Sequence, residues 1–434
     1  MRGEGHRSFA FLILGLILYA APALAANEGG IPPGSIITAQ DWQDYQRFMS
    51  EGMRELFRGN LAWKFPSDMQ IKVGPSTHYP LPRHYQQATD QYSSGVRIVE
   101  LPNGGHTIAN YVAGQPFPNP QEPLKGWKIL TDLWFRAQPW LECGPDNWIY
   151  RKDRFGSTSA VSFILSYRQM THISAGDMPR TDPASQGVFY SEYLELTSPE
   201  EYKYSAQLTI YYDDPARPED LFLFVPALRR TMRLSSAARC SPVAGTDYGQ
   251  DDIHLGFNGG IARWTADYRS DGQVLSLVRA DRLLFGDLNN YNVAFFPKPI
   301  VGNWELRPVY KIDAQRIPSE RAGYCYSKRA MYVDRETFNN LWTEDYDMNG
   351  RLWKIQMINH LGRAIDGEPF YPETGNYIET LWDVQNQHLT MSVSSGSKGG
   401  QWNLANFECE SYEGNNFTNA NRWNAVQGLS QIMR

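Results

Sequence analysis

The sequence predicts a mainly β fold of the α+β type: an antiparallel sheet with a helix packed on it. Three observations carry this expectation. Beyond about residue 188, side chains alternate with a period of two; short turns rich in Asp, Asn, Gly and Pro separate these runs; and one amphipathic helix precedes them. The 434 residues suffice for one large or two ordinary domains. The net charge is −6, charged residues make up 20% of the chain, and no Lys/Arg run is present, so no nucleic-acid partner is expected.

The elements follow in order. Arg2 and Arg7 form a basic start, Phe9 to Ala20 is a nearly unbroken apolar run, and Ala23-Leu24-Ala25 has a small-x-small pattern. In that order these features read as an export signal, residues 1–25, cleaved after Ala25. The apolar run is too short to cross roughly 30 Å of hydrocarbon. The expected product is a soluble periplasmic protein, with no lipid anchor because no Cys follows the cleavage site. The signal carries Arg2, Arg7 and Glu4, a net +1, so its removal takes the charge from −6 to −7.

Residues 26–125 are expected to form an N-terminal extension, with 126–434 as the main domain. Thr38 is read as a helix cap with Asp41 at the positive end. Trp42, Tyr45, Met49, Met53 and Leu56 then recur at three- and four-residue steps along one face. Such a stripe faces a core, or else lies across the mouth of a hydrophobic cavity. Residues 60–125 are dense in Pro, Gly and Asn, which predicts loops and short strands. Asp132 to Phe135 and Val161 to Arg168 are apolar stretches on either side of a turn-rich Pro145 to Gly156.

Strands are predicted from there. Ala206 to Tyr212 places Leu208, Ile210 and Tyr212 on one face and Gln207, Thr209 and Tyr211 on the other. Leu221 to Val225, Trp304 to Ile312, Tyr324 to Asp334 and Leu352 to Ile358 follow, and Ile378 to Val384 with His388 to Val393 closes the series as a hairpin. Asp213-Asp214-Pro215 and the segment Asp345 to Gly350 are turns. Several strands carry apolar residues on both faces. A sheet wrapped around an apolar interior would do so, and an ordinary two-layer core would too.

No specific catalytic pattern occurs. There is no G-x-S-x-G elbow, and His78, His84, His106, His172, His254, His360 and His388 show no metal-ligand spacing. The expectation is a protein without catalytic residues, metal or cofactor. A hydrolase would need a buried histidine beside an acid and a Ser or Asp in one cleft. Glycosidases need two carboxylates across a cleft, which the adjacent acids Asp213/Asp214, Asp251/Asp252 and Glu344/Asp345 do not imply. Asp345 and Asp347 suit a turn. Asp251 and Asp252 are assigned to a salt-bridge network with Arg229, Arg230 or Arg233 as partners. Cys143, Cys240, Cys325 and Cys409 lack C-x-x-C spacing and predict one or two structural disulfides, with all three pairings open.

Longer motifs add a resemblance. They are the run from Asp220-Leu221-Phe222-Leu223-Phe224-Val225-Pro226 to Arg233-Leu234-Ser235, Gly256-Phe257-Asn258-Gly259-Gly260, and Ala322-Gly323-Tyr324-Cys325-Tyr326-Ser327-Lys328-Arg329. Met331-Tyr332-Val333-Asp334, Tyr346-Asp347-Met348-Asn349-Gly350-Arg351-Leu352-Trp353-Lys354 and Ala113-Gly114-Gln115-Pro116-Phe117-Pro118 join them. Together they resemble a bacterial periplasmic family of unknown function whose members are labelled outer-membrane lipoprotein-sorting proteins.

The resemblance implies a fold similar to the LolA/LolB carriers, a curved, incompletely closed antiparallel half-barrel with helices on its concave side. It implies a lipid-like or other hydrophobic ligand, an inner-membrane exporter of the RND (MMPL) type and an outer-membrane partner. It also implies a Cys240–Cys325 disulfide, with Cys143–Cys409 a weaker pairing. On this reading Leu221, Leu223, Val225 and Trp353 line the interior, while Arg229, Arg230 and Arg233 meet a head group or a partner. The rival expectation is a structural adaptor whose sheet interior is filled by its own side chains.

Overall fold

The structure, a computed structural model, describes residues 30–59, 61–63, 65–174, 178–234, 239–281, 284–365, 368–370, 377–393, 424–429 and 432. The expected signal and the Cys143–Cys409 pairing lie outside them. Two small two-stranded antiparallel sheets come first: β1 (Ile36–Thr38) with β2 (Gln70–Lys72), and β3 (Arg97–Glu100) with β4 (His106–Ala109). Besides several short helical turns, the described residues form a 3-10 segment Trp42–Phe48, α1 (Glu51–Arg58), α2 (Arg83–Tyr92), α3 (Lys125–Trp134) and a terminal turn Val426–Leu429.

One antiparallel sheet of 13 strands dominates. Its first meander is β5 (Leu141–Lys152), β6 (Thr158–Gln169), β7 (Val188–Ser198), β8 (Ala206–Tyr212), β9 (Asp220–Val225) and β10 (Arg230–Leu234). Its second is β11 (Trp264–Ser276), β12 (Glu305–Arg316), β13 (Lys328–Asp334), β14 (Asn340–Tyr346) and β15 (Leu352–His360). After a small side hairpin of β16 (Arg363–Ile365) and β17 (Glu368–Phe370), it ends with β18 (Tyr377–Asp383) and β19 (His388–Val393). The order is β10-β9-β8-β7-β6-β5-β19-β18-β15-β14-β13-β12-β11. The chain therefore starts at the centre, runs out to the β10 edge, crosses to the opposite edge at β11 and returns to pair β19 with β5. The edges β10 and β11 do not pair, so the sheet stays open.

A sheet this wide curls, and side-chain contacts show the direction. α3 packs on β11 and β12, so tightly that a Cβ at Gly126 would lie 2.3 Å from the Ala266 carbonyl oxygen. At its far end Trp134 meets Tyr190 of β7 and Tyr211 of β8 at ring distances of 5.6 and 5.4 Å. One ten-residue helix thus touches both wings. The described part of the crossing segment, residues 239–263, lies on this same concave side. The convex side is covered separately. Met53 and Leu56 of α1, with Trp42 and Met49, join Trp342, Ile355, Met357 and Trp382 in the largest core cluster, and Leu429 covers Leu208 and Phe224.

Several expectations need correction. The helix does not start at Thr38, which belongs to β1 and gives its N–H and hydroxyl to Asp41. The stripe breaks at Met49, whose backbone is extended, and α1 begins after Ser50, whose Oγ accepts from Met53 N at 3.0 Å. All five stripe residues still reach the convex core, because a 3-10 turn and an α turn can present one face in succession. Pro145 to Lys152 is strand, not turn: it lies in β5, where a register shift between Gly144 and Asn147 accommodates the proline. Residues 83–92 are helical where loops were expected. β13 begins only at Lys328, since residues 324–327 are drawn to the crossing segment by Tyr324, Cys325 and Tyr326.

Candidate functional site

The crossing segment is held against the concave face by charge. Asp251 and Asp252, 1% and 0% exposed, anchor it. Asp251 pairs with Arg239 of its own segment and with Arg316 of β12 at 2.6 Å, and accepts from the Tyr324 hydroxyl at 2.7 Å. Asp252 accepts from Arg329 of β13 at 2.9 Å, from the Tyr326 hydroxyl at 2.6 Å and from Gly249 N at 2.8 Å, with Lys354 of β15 at 3.3 Å. Burial alone would raise the Asp251 carboxyl, but Arg239 and Arg316 hold it far below its usual range. Arg329 also binds Asp345, which is a buried strand residue and not part of the turn; Asp347 is the turn residue, accepting from Asn349 N and Arg351 N. The salt-bridge network therefore exists with partners other than those expected. Arg229, Arg230 and Arg233 sit on the far β9–β10 hairpin, and Arg233 pairs with Asp220. The disulfide Cys240–Cys325 fastens the same segment, as the resemblance implied.

The two wings differ in what fills the hollow. Over β11–β13 it is packed by α3, whose Trp127, Leu130 and Trp134 join Trp264, Ile312, Met331 and Val333. Over β5–β9, beyond the Trp134 contacts with Tyr190 and Tyr211, the cover among the described residues is the segment 243–254, and its small residues Val243, Gly245 and Thr246 leave space. Two adjoining chambers result, of about 300 and 100 Å³, sharing Leu194, Gln207 and Val243. Strand register explains the lining. Phe163 pairs with Leu196, Leu165 with Leu194, Gln207 with Leu194 and Leu223 with Gln207, so alternate residues of four strands point into the hollow. The larger chamber reaches Tyr202, which is 45% exposed. The smaller runs inward to Glu192, Tyr248, His254, Tyr377, Glu379 and Ser392.

The inner end is polar and buried. His254 Nδ1 lies 2.9 Å from Glu192 Oε1, and Tyr167 and Tyr190 stack on the imidazole at 5.8 and 5.4 Å. Burial, reinforced by Arg136, lowers its pKa and keeps the ring neutral. Burial pushes Glu379 up to about 8 against the lowering effect of a backbone hydrogen bond from Leu255. His254, Leu255 and Gly256 all have positive φ, at 58, 58 and 77°. Two consecutive non-glycine residues in the left-handed region store strain, and Arg136 and Asn340 donate to the carbonyls of His254 and Leu255 to hold them there.

A histidine, an acid and a serine thus share one chamber, the arrangement set out above for a hydrolase. A serine nucleophile must hydrogen-bond its base, and among the described residues neither Ser392 nor any other group hydrogen-bonds His254 Nε2. Among the described residues no cluster of His, Cys, Asp or Glu could hold a metal ion.

Of the expected interior residues, Leu223 lines the larger chamber. Leu221 and Val225 share its strand face but lie outside either lining. Trp353 is elsewhere, donating to Asp383 at 2.9 Å and packed on Tyr326. Arg229 and Arg230 are exposed. Sequence reasoning missed Val161, Phe163, Leu165, Leu194, Leu196, Glu192, His254 and Glu379. The alternations Val161-x-Phe163-x-Leu165 and Leu194-x-Leu196, and an acid within Tyr377-Ile378-Glu379-Thr380-Leu381, were their only signal.

The profile of a family described as a protein of unknown function (DUF1329) matches residues 36–421. An uncharacterized protein of Pseudomonas aeruginosa is 22% identical over 384 residues, 83% of this chain and 76% of its own. Among solved structures, an outer membrane lipoprotein-sorting protein domain of Vibrio parahaemolyticus is 15% identical, with a TM-score of 0.44 over 65% of this chain and 96% of that one. A DUF1329 family protein of Desulfovibrio piger is 14% identical, with a TM-score of 0.44 over 67% and 99%. A LolA superfamily protein of Nitrosomonas europaea is 15% identical, with a TM-score of 0.34 over 60% and 86%.

Proposed function

This chain belongs to the DUF1329 family, and from that premise we propose that it is a periplasmic binding or carrier protein for a hydrophobic molecule. The observation that carries the reading is the space with mostly apolar walls that the described residues leave between β5–β9 and residues 243–254. Protein interiors are close-packed, and ligand pockets span about 300–1,000 Å³ with apolar walls and a few polar groups. Each methylene moved from water gains about 0.8 kcal/mol, so a chain of about ten carbons gains roughly 8 kcal/mol before the costs of binding. An adaptor with a solid interior has no use for this hollow. The role is non-enzymatic, the cavity serving to hold and release.

Export to the periplasm follows from the N-terminal signal, and the family resemblance pairs such a carrier with an RND-type exporter and an outer-membrane protein. Arg229 and Arg230, exposed at the tip of the β9–β10 hairpin, are the surface we assign to such a partner. To test the carrier reading, the mature protein is purified from its native envelope without detergent, extracted with organic solvent and examined by mass spectrometry. One enriched hydrophobic species is expected. An extract indistinguishable from that of a control periplasmic protein would overturn the reading.

A further inference from the structure

At its inner end the cavity leaves two groups unsatisfied. Glu379 is 3% exposed and His254 5% exposed, and among the described residues neither Glu379 Oε1 nor His254 Nε2 has a hydrogen-bond partner. Both residues line the same chamber. Buried polar atoms are rarely left bare, and here they stand at the end of a space whose wall surface is mostly apolar, with Ile149, Phe163, Leu165, Leu194 and Val243 among its lining. We infer, building on the carrier reading, that the ligand is an aliphatic amphiphile with an uncharged head that both donates and accepts a hydrogen bond, a hydroxyl or a protonated carboxyl, bound by Glu379 and His254.

The donor and acceptor pattern supports this. With Nδ1 against the Glu192 carboxylate, the ring proton of His254 sits on Nδ1 and leaves Nε2 as an acceptor. Glu379, pushed up to about 8 by burial, keeps its proton near neutrality and can donate. A hydroxyl head gives its hydrogen to His254 Nε2 and accepts from Glu379, satisfying both.

A charged head is disfavoured on either sign. An anion would lie near Glu192. The nearby Arg136 offers it little, because its Nη1 and Nη2 donate to the carbonyls of Leu133 and His254. A cation would meet the field of Arg136 and could pair with Glu379 only by stripping its proton and burying an ion pair, while Glu192 is already engaged by His254 and by Asn258 at 3.5 Å. A buried charge without a free partner is costly. The tail then runs along Leu165, Leu194, Phe163 and Leu196 toward Tyr202.

The test uses the purified full-length mature protein, an apolar fluorescent reporter (N-phenyl-1-naphthylamine) and three displacing probes with one ten-carbon tail: 1-decanol, decyltrimethylammonium and decyl phosphate. Decanol is expected to bind at least about tenfold tighter than either charged probe. Glu379→Leu and His254→Leu should each weaken decanol by about tenfold while leaving the reporter bound, and Glu379→Gln, which keeps a donor at that position, should retain decanol within about threefold. Equal affinities for the three heads, or tighter binding of a charged one, would overturn the head-group assignment while the carrier reading stood. No binding of the reporter or any probe would instead remove the cavity reading, and this inference with it.

Discussion

At the scale of single residues, the consequential groups are carboxyls placed where a strand turns them inward. Glu344 and Asp345 are neighbours, yet one accepts from Gly52 N of α1 on the convex side and the other pairs with Arg329 on the concave side. Glu379 is the more informative case. Its pKa rises from 4.5 unfolded to about 8 folded because burial favours the neutral form. Its contribution to stability is therefore complete below about pH 4.5 and is lost as the pH climbs through about 8. Glu379→Gln removes that linkage. Denaturant titrations at pH 5 and pH 8.5 should show the variant gaining on the wild type at the higher pH, by about 1.4 kcal/mol for each unit of the native shift. A variant that tracks the wild type at both pH values would mean Glu379 is hydrated or paired in solution. Asp252 matters instead as the buried acceptor of the Arg329 and Lys354 charges. Asp252→Ala leaves Arg329 and Lys354 beside a buried vacancy, and a loss of about 3–5 kcal/mol in the same titration is expected.

At the scale of elements, the crossing segment 239–263 and α3 perform different tasks in one hollow. α3 is a packing element: its apolar side chains fill the wing under β11–β13, and Gly126 lets it approach the β11 backbone. The crossing segment is an anchoring element, tied by ion pairs and by one disulfide across 85 residues of sequence. Closing so long a loop restricts the unfolded chain, and its loss should cost about 2–4 kcal/mol. Cys240→Ala with Cys325→Ala is expected to lower the melting temperature and to speed proteolysis within 239–263. Unchanged cleavage there would show that the ion pairs alone suffice. The α1 stripe belongs to neither task, since it packs outside the curve.

At the scale of the whole molecule, the open edge order requires the chain to cross from β10 to β11, and the described part of that connection, residues 239–263, lies across the inner face of the sheet. A filled wing and a hollow wing follow from how much of each the inner elements cover. Leu194, shared by both chambers, is the position to test this. Leu194→Trp should occupy the hollow, lower the affinity for a hydrophobic probe by about tenfold or more, and shift the melting temperature by only a few degrees, because it replaces empty space. A large destabilisation would mean that the space is smaller than described.

Much of the β8, β9, β12, β15, β18 and β19 meander was legible from alternation and turn residues, because strand period and turn chemistry are local properties of consecutive residues. The resemblance likewise located the Cys240–Cys325 pair. The partners of Asp251, the break at Met49 and the cavity itself were not legible. Arg316 and Arg329 are 65 and 78 residues from Asp251 along the chain, and a void exists only where two distant segments fail to fill what lies between them. Local pattern by itself determined which residues form strands and which way each side chain alternates. Only the tertiary structure decided which of those faces were left facing empty space, since packing depends on the volumes of segments that the sequence holds far apart.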